Sequence, residues 1–247
     1  MTSSPTHPSA SDPALPPPDA PVDAVLFDVD DTLCRYRRSG AELLSLAFDL
    51  VGVDPFFGVE DYHERYPEFA ATTDDVDSLR RACFAALAEE RGRDPALGRR
   101  VATAFADERD HRDVRPLDGA LCAVERLDGD HRLGVVTNGA PSMQRRKLEG
   151  LGLADAFDAV VFAGYDSAPK PDPEPFGRAL RSLSVQPERA VHVGNSLGSD
   201  VAGAHAAGVR AAWLADERTA GAGIDTTSAP TYTLASMGDL LDPPWWA

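Results

Sequence analysis

Lysine is nearly missing from this chain. Of its 24 basic residues only Lys147 and Lys170 are lysines, set against 40 carboxylates and a net charge of −16. So acidic a protein repels phosphate backbones and anionic headgroups, which excludes electrostatic binding to nucleic acid or to an acidic membrane. Cysteine is scarce as well. Cys34, Cys83 and Cys122 are far apart and form no Cys-x-x-Cys pair, and with the six histidines they draw no zinc site. No apolar run approaches the length needed to cross a bilayer, and no internal repeat is present.

Acidic excess with so little lysine resembles the surfaces of proteins from salt-loving (halophilic) microbes, a statement about habitat and solubility, and it makes each surviving lysine worth asking about. Residues 1–21 are rich in Pro, Ser, Ala and Asp. They lack the basic start and apolar centre of a secretory signal, so a disordered leader and a cytoplasmic location are expected. The remaining length, in a chain of 247 residues that is 43% hydrophobic, suffices for one α/β core with a smaller insert.

Residues 35–115 read as almost wholly helical. Ser39 caps a stretch with Leu43, Leu44, Ala47, Phe48 and Val51 at helical spacing, and Leu79, Cys83, Ala86 and Leu87 line a second helix. Leu97, Val101, Ala104 and Phe105 line a third. From residue 116 the rhythm changes to short apolar strands (LGVVT, AVVFA, AVHVG, VRAAWL) separated by helices, with a short edge strand and a last helix in the tail. That alternation indicates βαβ units and a parallel sheet with helices on both faces. Together with Val25–Phe27 it defines a core of 22–34 and 116–247, interrupted by a helical insert over 35–115.

Strand ends carry the chemistry. Asp28 and Asp30 follow the first strand, where the chain turns, and residues two apart on extended backbone share a face. Two such carboxylates repel, so a proton or a cation must lie between them. The pair suits a nucleophile beside a proton carrier; the plainer reading is an acidic turn. Thr137 and Asn138 end the next core strand, Lys170 sits in a proline-ringed loop, and Asn195 and Asp200 follow a later strand. Capping explains Thr, Asn and Asp at such places equally well, and a solvated side chain explains a lysine. Taken together, two carboxylates, a Thr/Asn pair, a lysine and a further carboxylate fit phosphoryl transfer, with positive charge and donors around the phosphate and magnesium on hard oxygen ligands.

In that order DVDDT (28–32), Thr137, Lys170 in KPDPEPF and GNSLGSD (194–200) resemble the four motifs of the haloacid dehalogenase-like hydrolases, in the branch with a helical cap after the first strand. The resemblance implies a Rossmann-like, doubly wound parallel sheet with an all-helical cap. It implies Asp28 as a nucleophile forming a phospho-aspartate, and Asp30 as the acid and base. Thr137, Asn138 and Lys170 would hold the phosphate. Magnesium (Mg2+) would lie among the side chains of Asp28 and Asp200, the main-chain carbonyl of Asp30 and the amide of Asn195. Asp31 and Thr32 would shape the turn. One departure stands out: Asn195 replaces the usual Asp and removes a charge, which weakens metal binding.

The expected activity is a magnesium-dependent phosphatase acting on a small phosphorylated metabolite. Dehalogenation is the alternative within the family, disfavoured by an acid at position 30. Schiff-base phosphonate cleavage needs a cap lysine that is absent, whereas phosphoglucomutase-type chemistry stays open. From another class, a catalytically lapsed binding or regulatory protein on the same scaffold also stays open. In the cap, Tyr36, Phe56, Phe57, Tyr62, His63, Tyr66 and above all Arg37 and Arg38 are candidates to meet the leaving group, or else aromatic core and solvated arginines.

Overall fold

The structure, a computed structural model, describes residues 15–70, 75–215 and 229–246. It divides into two compact units, one formed by the chain up to Arg35 and from Val114 onward, the other by Tyr36–Asp113.

In the first unit, β1 (Ala24–Phe27), β4 (Arg132–Asn138), β5 (Ala159–Ala163), β6 (Ala190–Gly194), β7 (Arg210–Leu214) and β8 (Tyr232–Leu234) form one sheet. Its order is β5-β4-β1-β6-β7-β8, and every pairing is parallel. All four residues of β1 are buried, as a central strand covered on both faces requires. Ala24 and Leu26 face a cluster with Phe176, Ala179 and Leu180 of α7 (Glu174–Leu183) and with Val201 and Ala204. By the pleat, Val25 and Phe27 face the other side, where Phe27 meets Phe157 edge-on. The chain builds outward from β1 on one side, then returns to lay β6 on the other. That reversal opens a crevice beyond the strand ends of β1 and β6.

Three further helices belong to this unit: α5 (Ala120–Asp128), α6 (Pro141–Gly150) and α8 (Ala202–Ala206), the last entered through a π-helical turn at Leu197–Val201. Two three-residue strands, β2 (Cys34–Tyr36) and β3 (Val114–Pro116), pair with each other at the ends of the helical stretch. They are too short to leave a periodic signature in sequence. The expected edge strand is β8; the expected last helix is a single 3₁₀ turn at Met237–Leu241. Trp245 is buried against Tyr232, and Trp246 stacks on His131 beneath Arg126.

The expected disordered leader needs correcting. Residues 1–14 lie outside the described residues, but within 15–21 the carbonyls of Pro18, Ala20 and Pro21 are tied to the core. Arg210 is fully buried and must spend its donors on carbonyls. It donates to Pro18, Ala20 and Pro21 at 3.1, 2.6 and 3.0 Å.

The second unit holds α1 (Gly40–Val51), α2 (Val59–Ala70), α3 (Val76–Glu90) and α4 (Pro95–Glu108). Ser39 and Glu42 close a capping box on α1, as the sequence suggested. Phe48, Phe57, Tyr62, Phe84 and Phe105 form one core, their rings meeting edge-to-face. Of the candidate leaving-group contacts, Phe57 and Tyr62 are therefore spent on packing. Arg38 is paired with Glu108 at 3.4 Å and Arg37 with Asp113 at 3.6 Å. A Cβ on Gly98 of α4 would lie 2.1 Å from the carbonyl oxygen of Phe84 on α3. Gly98→Ala must push these helices apart, and thermal unfolding is expected to show a loss of about 1–3 kcal/mol.

Candidate active site

Where β1 ends, the backbone turns sharply. Asp31 takes a left-handed conformation, φ 56°, which Asp tolerates better than most residues. Its carboxylate is fixed by Arg35 at 2.6 Å, and Thr32 is wholly buried. Both residues build the turn that presents Asp28 and Asp30. A pocket of about 290 Å³ opens there, lined by Asp28, Asp30, Thr137, Asn138, Lys170, Asn195 and Asp200. All seven residues singled out in the sequence thus meet at the strand ends of β1, β4 and β6 and on the Lys170 loop.

Lys170 lies at the centre of this group. Its Nζ donates to Asp28 Oδ1 at 2.8 Å, to Asp200 Oδ1 at 2.6 Å and to the carbonyl of Val136 at 2.9 Å. All three ammonium hydrogens are engaged, so Lys170 reaches a phosphate only by giving one up. Burial works against the charge on this lysine, but Asp28 and Asp200 outweigh it and raise its pKa. Asp28 is 7% exposed. Burial pushes its carboxyl up to about 6, against the pull of Lys170 and with Asp200 adding to the rise. Asp200 is driven the other way. Burial opposes its charge, yet Lys170 and a hydrogen bond from His192 hold it below the usual carboxylate range.

Asp200 is held on every side. Its Oδ1 also meets His192 Nε2 at 3.1 Å, and its Oδ2 accepts from the Ser196 amide at 2.9 Å. Gly194 is what lets it fold back: a Cβ there would lie 2.4 Å from Asp200 Cγ. Asn138 faces the Lys170 loop. Its Oδ1 accepts from the Lys170 amide at 2.9 Å and its Nδ2 donates to the Lys170 carbonyl at 3.2 Å. The side chain expected on the phosphate is stapling that loop to β4, while Thr137, 1% exposed, lines the pocket floor. Asn195 faces the hydroxyl of Thr32 at 3.5 Å, and its carbonyl accepts from Trp213 at 2.9 Å.

Two site residues escaped the sequence reading. Gln144 and Lys147, three apart on one face of α6, both reach Asp30. Lys147 Nζ lies 2.6 and 2.7 Å from its two oxygens, and Gln144 Nε2 donates to Oδ2 at 2.8 Å and to the Asn138 carbonyl at 2.9 Å. The signal was present: in a chain with two lysines, both are buried and both bridge to the DVD carboxylates. Gly139, with φ 121°, leaves room for the Gln144 amide, which would crowd a Cβ at 3.0 Å. Cys34 is buried close to Asp30, and burial first and Asp30 second push its thiol up to about 12, which disfavours the reactive thiolate.

No group of three carboxylate, imidazole or thiolate side chains capable of holding a metal occurs among the described residues. Among the residues that line the pocket, the carboxylates of Asp28 and Asp200, which Lys170 bridges, lie with Asn195 and Asp30, whose amide and main-chain carbonyl are further oxygen donors. This is an all-oxygen set of the kind a hard divalent cation takes, left short of ligands that a phosphate and water would supply.

The profile of the haloacid dehalogenase-like hydrolases matches residues 22–208. A phosphoserine phosphatase of Thermus thermophilus is 42% identical over 218 residues, 77% of this chain and 87% of that enzyme. A glyceraldehyde 3-phosphate phosphatase of Methanopyrus kandleri is 32% identical over 194 residues, 76% of this chain and 82% of its own. In fold, the chain is like the HAD-hydrolase YfnB of Bacillus subtilis bound to magnesium, with a TM-score of 0.68 at 24% identity over 90% of this chain and 98% of that one. With its motifs gathered in one pocket and the profile spanning most of its length, this chain belongs to the haloacid dehalogenase-like hydrolases.

Proposed function

We propose that this protein is a magnesium-dependent phosphatase that hydrolyses a small phosphorylated metabolite by way of a phospho-aspartate on Asp28. The observation that carries the reading is the Lys170 bridge. It presents a buried carboxylate, anchored through one oxygen, at the floor of a pocket that Asp30 also lines.

In the first step the free oxygen of Asp28 attacks phosphorus and the ester bond breaks, while Asp30 gives its proton to the departing oxygen. In the second, Asp30 takes a proton from water, the water oxygen bonds to phosphorus, and the bond from phosphorus to Asp28 breaks. The sum is ester plus water giving alcohol plus phosphate. The Thr137 hydroxyl and the amides of the turn after Asp28 donate to the phosphate oxygens. Asp28, Asp200, Asn195 and the Asp30 carbonyl would hold magnesium, which when bound neutralises phosphate charge. An acid at position 30 that lines this pocket is what phosphate esters need, and it favours their hydrolysis over dehalogenation.

The test is turnover of a panel of phosphate monoesters in high salt, led by phosphoserine and glyceraldehyde 3-phosphate, the substrates its relatives are named for. Activity is expected to vanish with a chelator and to return with magnesium. Asn195→Asp restores a full charge to the site, and its magnesium requirement is expected to fall by about tenfold. Wild-type protein that turns over nothing at saturating magnesium leaves the binding-protein reading standing instead.

A further inference from the structure

We infer that Lys147 and Gln144 are positioning residues for the acid and base Asp30, holding its carboxylate at the angle from which it serves both proton transfers. The inference rests on the phosphatase reading above and names residues that the family motifs do not contain.

The contacts are specific. Lys147 grips both oxygens of Asp30 almost equally, at 2.6 and 2.7 Å, and Gln144 adds a third donor to Oδ2. A carboxylate bonded through one oxygen still swings about that bond; one held by three bonds through both oxygens does not. Lys147 is 2% exposed and Gln144 is 2% exposed, whereas the Asp30 side chain they hold is 44% exposed and lines the pocket. The grip therefore comes from inside the protein, leaving the outer side of the carboxylate open to substrate.

A purely structural role explains this arrangement poorly. Burying an ammonium is costly, and an apolar side chain at position 147 would anchor α6 more cheaply. Gln144 is also incompletely satisfied: both partners of its Nε2 are acceptors, which fixes the amide's orientation, and its buried Oε1 has no hydrogen-bond partner. Stability alone does not select a half-satisfied buried amide.

The experiment separates the chemical steps in Lys147→Met and Gln144→Leu, using an alkyl phosphate and dinitrophenyl phosphate with magnesium present. The dinitrophenolate leaves without a proton, so phosphoryl transfer from this ester to Asp28 does not need Asp30. With the alkyl ester, kcat is expected to fall about 100-fold in Lys147→Met, with KM within about threefold. With dinitrophenyl phosphate the same variant is expected to release a burst near one equivalent and then turn over slowly, as phospho-aspartate waits for its water. Gln144→Leu is expected to show the same split at about a tenth of the loss, and it decides the matter if Lys147→Met does not fold. Equal losses on both substrates without a burst mean a structural role and overturn the inference. Faster turnover means that the two residues park Asp30 away from its work, which also overturns it. Wild-type protein inert toward both esters refutes the phosphatase reading itself, a distinct outcome.

Discussion

Asp28→Asn is expected to lose turnover by about 10⁴-fold or more while making the magnesium-free protein more stable. An amide cannot form the acyl phosphate, so activity disappears whatever the leaving group. The stability gain follows from the same carboxylate. Burial lifts Asp28 from an ordinary value of 3.8 to about 6 in the folded chain. Between those values the folded protein binds more protons than the unfolded one, so its stability falls as pH rises through that window. A neutral amide does not titrate. The variant should therefore match wild type near pH 4 and exceed it by about 1–3 kcal/mol at neutral pH, after Lys170 has exchanged one charged partner for a neutral amide oxygen. If Asp28 holds magnesium as proposed, adding the ion is expected to reverse the order, because it then favours the fold that offers it the carboxylate. Chemical unfolding of both proteins at acid and neutral pH, with and without magnesium, measures each part. A variant less stable than wild type at neutral pH without magnesium would show that Lys170 compensates Asp28 fully.

Much of this site was legible because most of the predicted residues sit at or close to a strand end. Asp28, Thr137 and Asn195 follow apolar runs short enough to be read as strands, and parallel strands bring their ends together whatever the loops between them do. What the sequence concealed were partnerships across long separations. Asn138 was recognisable as a polar strand-end residue, but its staple to Lys170 joins positions 32 apart. The grip of Lys147 on Asp30 spans 117 positions. No local pattern encodes either, although the shortage of lysine marked the residue that mattered. The fold shows the same division. Helix α1 announced its own cap at Ser39, whereas residues 15–21 looked featureless until a buried arginine nearly two hundred positions away, Arg210, took their carbonyls. In the cap, the apolar spacing was right, and the choice between aromatic core and substrate contact went to the core for Phe57 and Tyr62.

Lys170→Met removes the cation on which two buried carboxylates depend, and the expected damage is to the fold as well as to the chemistry. Three hydrogen bonds go at once, two of them to charged groups. Breaking one side of a buried ionic cluster typically costs about 3–5 kcal/mol, because the remaining charges stay desolvated. The pH dependence distinguishes this from loss of packing. In wild type, Asp200 is held below the usual range, so its contribution is present above an unfolded pKa near 3.8 and is lost only as pH falls below it. Without Lys170 both carboxylates face burial and each other, and their pKa values move up. The folded variant then takes up protons as pH falls from neutrality, and its deficit relative to wild type shrinks toward about pH 5. Urea unfolding at the two pH values reads this directly, and a deficit independent of pH would mean that the lysine acts through its methylenes. Turnover should fall below detection even under conditions where the variant is folded. Asp28, no longer held ionised and anchored by one oxygen, loses both the charge and the aim that an attack on phosphorus requires.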